Sequence, residues 1–195
     1  MISDEAREVA RVAQGDRAAY ARLVNLHLRP VEAYAFRICG NRATAEDVVQ
    51  EVMLRLWSRA DQFKPERARL TTWLHQLAHN LCIDQLRRSN RLTQLQLGND
   101  AQDMHLSGPD HQIDEGDTSA QVTEVGVLDD DADTVQKALS QLPERQRNAL
   151  VLTYYQELSN AEVAEVMQMG VRAVESLLVR ARAALKKQLE QAYDH

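Results

Sequence analysis

Along Thr71–Arg91, TTWLHQLAHNLCIDQLRRSNR, one aromatic ring, two amides, a carboxylate and two guanidiniums recur at helical spacing: Trp73, Gln76, Asn80, Asp84, Arg87 and Arg91. Separations of three and four residues place all six along one edge of a helix. Guanidinium forks suit phosphates, an amide reads a base edge, and an indole stacks on an unpaired base. Together they suit a nucleic acid with at least one strand opened. The alternative is a solvated face, on which Asp84 pairs with Arg87 or Arg88 and nothing binds.

The opposite side of the same helix carries Leu74, Leu77, Ala78, Leu81 and Cys82, the apolar stripe of a helix packed on a core. Just upstream, Asp61–Leu70 reads DQFKPERARL, where Pro65 breaks helix and Lys64, Arg67 and Arg69 surround Phe63. A basic loop with an aromatic can cradle an extruded base. Phe63 closing over the end of the core is the other possibility. Upstream again, Thr44 is expected to cap a helix whose Ala45, Val48, Val49, Val52, Met53, Leu56 and Trp57 keep an unbroken helical period. Its other face shows Asp47, Gln50, Glu51 and Arg55 around Leu54. A lone exposed Leu needs no explanation, but in that company it suits a small protein-binding patch. Asp16 is expected to cap a helix over Arg17–Cys39 that Gly40 ends.

The second half opens with a helix over Thr134–Leu142. Pro143 then starts a helix to about Gln156. Ser159-Asn160-Ala161-Glu162 reads as a capping box before a short helix through Gln168, Met169-Gly170 as a tight turn, and Val171 to about Leu189 as a longer helix. That is helix-turn-helix grammar, with Val163, Ala164, Met167, Val171, Val174, Leu177 and Leu178 as its apolar seam. The longer helix offers Arg172, Glu175, Ser176, Val179 and Arg180 to a major groove, and Arg182, Lys186 and Lys187 to phosphates. A helical hairpin without DNA has the same grammar.

Charge divides the chain. Over all 195 residues the net charge is −6, but residues 1–92 carry +4, residues 93–133 carry −11 and residues 134–195 carry +1. The acid lies in one segment between two mildly basic ones, so the overall sign does not exclude a polyanionic partner. That segment has five Gly or Pro residues, from Gly98 to Gly126, and no sustained stripe, so it reads as a flexible acidic linker. It either keeps the protein soluble or shields the basic faces. The expected fold is therefore all-α, two small helical domains (1–92 and 134–195) joined by a linker (93–133). No run is long enough to span a membrane, and the charged start MISDEAREVA does not suit a signal peptide, so a cytoplasmic protein is expected. Cys39 and Cys82 sit in helical apolar patterns, as buried thiols rather than a disulfide framework.

Three runs in order, AEDVVQEVMLRLW (Ala45–Trp57), TTWLHQLAHNLCIDQLRR (Thr71–Arg88) and LPERQRNALVLTYYQELSNAEVAEVM followed by VESLLVRARAALKK, resemble the extracytoplasmic-function sigma factors, the smallest bacterial sigma factors. The resemblance covers nearly the whole chain outside 93–133. It implies regions two and four of a sigma factor and names the faces already found. Asp47, Gln50, Glu51 and Leu54 match the polymerase contact on the β′ clamp helices. Phe63, Lys64, Arg67, Trp73, Gln76, Asn80, Arg87, Arg88 and Arg91 match the capture of the opened −10 element. The helix carrying Arg172, Glu175, Ser176, Val179, Arg180, Arg182 and Lys186 matches the −35 reader. Where family members often begin that helix with Gly-Thr and continue with a basic residue, this chain has Gly170-Val171-Arg172-Ala173-Val174-Glu175. Glu175 repels phosphates and can accept from a cytosine amino group.

The resemblance further implies core RNA polymerase (β′ clamp helices and β flap), promoter DNA and an anti-sigma factor as partners, a role in stress-responsive transcription, and neither enzymatic activity nor a cofactor. Rival readings are a free-standing helix-turn-helix regulator, which leaves the first half idle, and a sigma mimic that titrates an anti-sigma factor, for which the base-capturing residues are superfluous. A metal site from His75, His79 and Cys82 lacks an accompanying acidic base, and the helical period splays its ligands.

Overall fold

The computed structural model describes residues 3–97 and 130–193. Among them are eight α-helices and no strand. The first half comprises α1 (Asp4–Ala13), α2 (Arg17–Cys39), α3 (Arg42–Ser58) and α4 (Leu70–Leu97), with a 3-10 turn at Ala60–Gln62. The second comprises α5 (Asp130–Ser140), α6 (Glu144–Tyr154), α7 (Asn160–Val166) and α8 (Val171–Tyr193).

Local chemistry sets most of the boundaries. Asp16 accepts from the amides of Ala18 and Ala19 at the start of α2, and Gly40 ends that helix at φ 67°, a left-handed conformation that glycine adopts without a steric penalty. Ser3 caps α1, a helix with no counterpart in the sequence reading, and Ala6, Val9 and Val12 are its buried side. The cap of α3 is Asn41 and not Thr44: the Asn41 carboxamide accepts from the Thr44 amide at 3.0 Å, which puts Thr44 inside the first turn. The Ser159–Glu162 capping box is present, but α7 stops at Val166, and Gln168 turns left-handed at φ 53°.

Two expected edges move. Helix α4 continues five residues past 92 because no breaker intervenes before Gly98, and α5 begins at Asp130, four residues earlier than expected. An Asp-rich opening suits a helix N-terminus, whose dipole favours negative charge, so composition alone misplaces that edge. The rest of the expected linker lies outside the described residues.

The expected stripes are buried. Ala45, Val48, Val49, Val52, Met53 and Leu56 of α3 lie inside with Trp57 half-buried, and in α4 Leu74, Ala78 and Cys82 are buried while Leu77 and Leu81 are half-buried. In the second half Val163, Ala164, Val174, Leu177 and Leu178 are buried, but Val171, expected in that seam, is 42 % exposed at the start of α8. The halves do not stay apart. One continuous buried cluster runs through both of them, with α7 packed on α4 and α6 on α2.

Candidate polymerase and nucleic-acid interfaces

The polar flank of α4 positions the second half. His75 and His79 are buried, and so is Thr72. The Tyr34 hydroxyl of α2 lies 3.0 Å from His79 Nδ1 and donates to Asn148 Oδ1 of α6 at 2.9 Å, so the histidine nitrogen supplies the proton of the first bond. His75 Nδ1 donates to the Thr71 carbonyl at 2.8 Å, and its other nitrogen meets the Gln156 side-chain amide at 3.0 Å. Thr72 Oγ1 donates to Glu162 at 3.1 Å, and the Arg37 guanidinium lies 4.2 Å over the Tyr155 ring. None of these cross-half partners follows from helical period, which marks a residue as flanking a stripe without saying what covers it. The adjacency of Thr72, His75 and His79 to the apolar stripe was the one available signal.

Burial governs the ionisation of these groups. It lowers the affinity of His75 and His79 for a proton and pushes the Tyr34 phenol well up. For Glu162, burial opposes ionisation. Hydrogen bonds from Ser159 and Thr72, with the charge of Arg69, outweigh it and hold the carboxyl low. His75, His79 and Cys82 therefore have three separate sets of neighbours: Thr71 with Gln156, Tyr34 with Asn148, and Cys39.

The candidate contact residues fall on three surfaces. On α3, Asp47 and Gln50 are exposed, Leu54 is 56 % exposed, and Glu51 is half-buried in a 2.7 Å ion pair with Arg55. Before α4, Lys64 and Arg67 are exposed, whereas Phe63 is only 9 % exposed and packs its ring 5.7 Å from that of half-buried Trp73. The loop presents cations to solvent and keeps its aromatic inside.

Along α4, Asn80, Asp84, Arg87, Arg88 and Arg91 are exposed, and Asp84 makes no ion pair with Arg87 or Arg88 among the described residues. Gln76 is half-buried, because its amide donates to the Glu165 carbonyl of α7 at 3.4 Å. Asn80, Asp84 and Arg87 line one wall of an open cleft of about 560 Å³ whose other wall is Met167, Gln168 and Met169 of the helix-turn-helix turn. The stripe thus faces the second half.

On α8, Arg172, Glu175, Ser176, Arg180, Arg182 and Lys186 are exposed, and Val179 is 60 % exposed. Ser176 Oγ donates to the Arg172 carbonyl, Arg180 Nε to the Ser176 carbonyl, and Lys186 pairs loosely with Glu190 at 3.7 Å. These local bonds run along the helix, leaving the face uncovered.

Residues 23–92 match the family Sigma-70 region 2, and residues 132–185 match Sigma-70, region 4. The chain is 31 % identical over 197 residues to the ECF RNA polymerase sigma factor SigW of Bacillus subtilis, a match covering 94 % of this chain and 95 % of that one. This chain is an extracytoplasmic-function sigma factor. As such it directs transcription initiation. This sigma factor is also 30 % identical over 186 residues to the RNA polymerase sigma-H factor of Pseudomonas aeruginosa, covering 93 % of this chain and 92 % of that one. Both relatives are regulatory proteins and not enzymes. Its fold resembles that of the sigma factor RpoE solved in complex with the anti-sigma factor NepR from Bartonella quintana. The TM-score is 0.66 at 24 % identity, over 88 % of this chain and 96 % of that one. Among the described residues no helix is long and apolar enough to cross a membrane.

Proposed function

We propose that this sigma factor binds core RNA polymerase through Asp47, Gln50, Glu51 and Leu54, opens and captures a −10 strand along α4, and reads a −35 duplex with α8. The single observation that supports the reading best is the edge of α4. There an amide at Asn80 and guanidiniums at Arg87, Arg88 and Arg91 stand in solvent on a helix whose opposite side is core. Trp73 and Gln76 continue that edge toward the loop of Phe63, Lys64 and Arg67, where the two exposed cations suit phosphates and an extruded base reaches Phe63 only if its ring leaves the contact with Trp73. The exposed face of α8 supplies duplex contact, with Arg172, Glu175, Ser176, Val179 and Arg180 toward bases and Arg182 and Lys186 toward phosphates.

Residues 1–92 carry polymerase and −10 binding in this reading, residues 134–195 carry −35 binding, and residues 93–133 connect them. Because Gln76 and Asn80 border the second half, strand capture requires that half to leave α4. The protein does no covalent chemistry itself and works in the cytoplasm. An anti-sigma partner fits as well, by analogy with the NepR complex of RpoE. Run-off transcription with core polymerase on a promoter library tests the reading: promoter-specific transcripts with two conserved boxes are expected, and their absence with folded protein overturns it.

A further inference from the structure

Glu162 divides its two carboxylate oxygens between two tasks. Oε2 accepts from the Ser159 amide at 2.9 Å and from the Ser159 hydroxyl at 2.7 Å, which closes the capping box of α7. Oε1 takes no part in that box. It accepts from Thr72 Oγ1 at 3.1 Å and lies 3.5 Å from an Arg69 guanidinium nitrogen, and both donors belong to the other half of the chain. One turn further on, the Gln76 amide donates to the Glu165 carbonyl of the same short helix at 3.4 Å. A capping box needs one acceptor oxygen from its acidic member, so local helix chemistry accounts for Oε2 and not for Oε1.

A hydroxyl and a guanidinium converging on one anionic oxygen are the donors that anchor a nucleic-acid phosphate. Their position agrees. Thr72 lies in the first turn of the long helix α4, where the dipole favours negative charge. Arg69, Thr72 and Gln76 are three and four residues apart, and Arg69 precedes Asn80 by about three turns, so all of them lie along the edge that carries Asn80 and Arg87. Exposed Lys64 and Arg67 stand just upstream. We propose that Arg69 and Thr72 form a phosphate subsite of the strand-binding edge, and that in the free chain α7 occupies it as the strand would, with the Glu162 carboxylate in place of a phosphate and the Glu165 carbonyl on Gln76 in place of a base acceptor. The proposal rests on α4 being the helix that captures the strand. The occlusion is selective: Arg172, Ser176 and Arg180 of α8 stay exposed, so the face for duplex is open while the anchor for the strand is taken.

Fluorescence anisotropy of the full chain, without polymerase, measures its binding to a labelled random-sequence single strand and to a random-sequence duplex across a salt series, and circular dichroism checks the fold. Glu162→Gln keeps a capping side chain but removes the charge. It should bind the single strand about tenfold more tightly than the parent and the duplex no differently. In that background Arg69→Gln should weaken strand binding whatever the sequence and lower the slope of log affinity against log salt by about 0.7, the value for one phosphate contact on a single strand. Thr72→Val should weaken it as well and Thr72→Ser restore it, a rescue that follows the hydroxyl and not the packing. No gain of strand binding in folded Glu162→Gln, or an unchanged salt slope in Arg69→Gln, overturns the proposal. The reading beneath it fails differently: if Asn80→Ala with Arg87→Ala leaves single-strand binding by Glu162→Gln unaltered, α4 does not hold the strand at all.

Discussion

The hydroxyl of Tyr34 and the side-chain oxygen of Asn148, 114 positions apart in the chain, are joined by a 2.9 Å hydrogen bond inside the protein. Both residues have no solvent exposure, and the bond joins α2 to α6, one half to the other. Tyr34→Phe removes the donor to Asn148 and the acceptor for His79 without changing the ring. Stranding buried polar atoms in this way costs about 1–3 kcal/mol. Denaturant unfolding should show a loss of that size, and an unchanged midpoint would mean that the bond contributes nothing.

Acid should loosen the same seam. Burial holds His75 and His79 below the ordinary histidine value of 6.5, so the unfolded chain takes up protons before the folded one does. The stability that depends on neutral imidazoles is therefore fully present above 6.5 and is lost as pH falls from there through the depressed folded values. Unfolding free energies at about pH 7.5 and about pH 5.5 measure the loss, each histidine contributing up to about 1.4 kcal/mol per pH unit. A His75→Gln, His79→Gln double variant should flatten the slope; the same slope in that variant would place the titration elsewhere.

Polymerase binding should separate from stability on α3. Leu54 and Asp47 lie off the core face, so Leu54→Ala with Asp47→Ala should weaken core-polymerase binding and shift thermal unfolding hardly at all. Should stability fall along with affinity, the two faces of α3 have been assigned wrongly.

Asn80 and Glu175 should fail in different ways. Asn80→Ala should leave polymerase binding and −35 preference intact while reducing promoter opening, because a good base contact is worth about 1–3 kcal/mol. Glu175→Ala should relax preference at one −35 position and raise affinity for unrelated duplex by removing a charge that repels phosphates. A pre-melted −10 template should rescue the first variant and not the second. Full rescue of Glu175→Ala would end this division of labour.

Much of the fold was legible because period and caps act locally. The Ala45 to Leu56 run, the Asp16 cap and the Ser159–Glu162 box each depend on neighbours within four residues, and all three are present. The cap of α3 was missed by three positions because Asn41 and Thr44 both carry capping side chains, and only geometry chooses between them. Composition misplaced the ends of α4 and α5, since an acidic segment can open a helix as readily as it can avoid one. The exposed edge of α4 was readable, because Asn80 and Arg87 need only the helical period to be aligned. What covers that edge was not readable: the bonds of Gln76 to Glu165 and of Thr72 to Glu162 join positions about ninety residues apart, and no local rule reaches so far.

The cleft between Asn80 and the Met167–Met169 turn makes each half a competitor for surface that the other half's partners need. Competition of this kind is reciprocal. Whatever binds the second half only when it has left α4 must, by linkage, raise the affinity of α4 for its own partner by the same factor. A coupling of about 1–3 kcal/mol, the usual range, amounts to about five-fold to 150-fold. Duplex on the already exposed face of α8 takes no part in it. A strand held by α4 and a partner that reaches only the surface of α7 buried against α4 would strengthen each other's binding across a gap that no contact bridges, and the seam around Tyr34 would set how strongly.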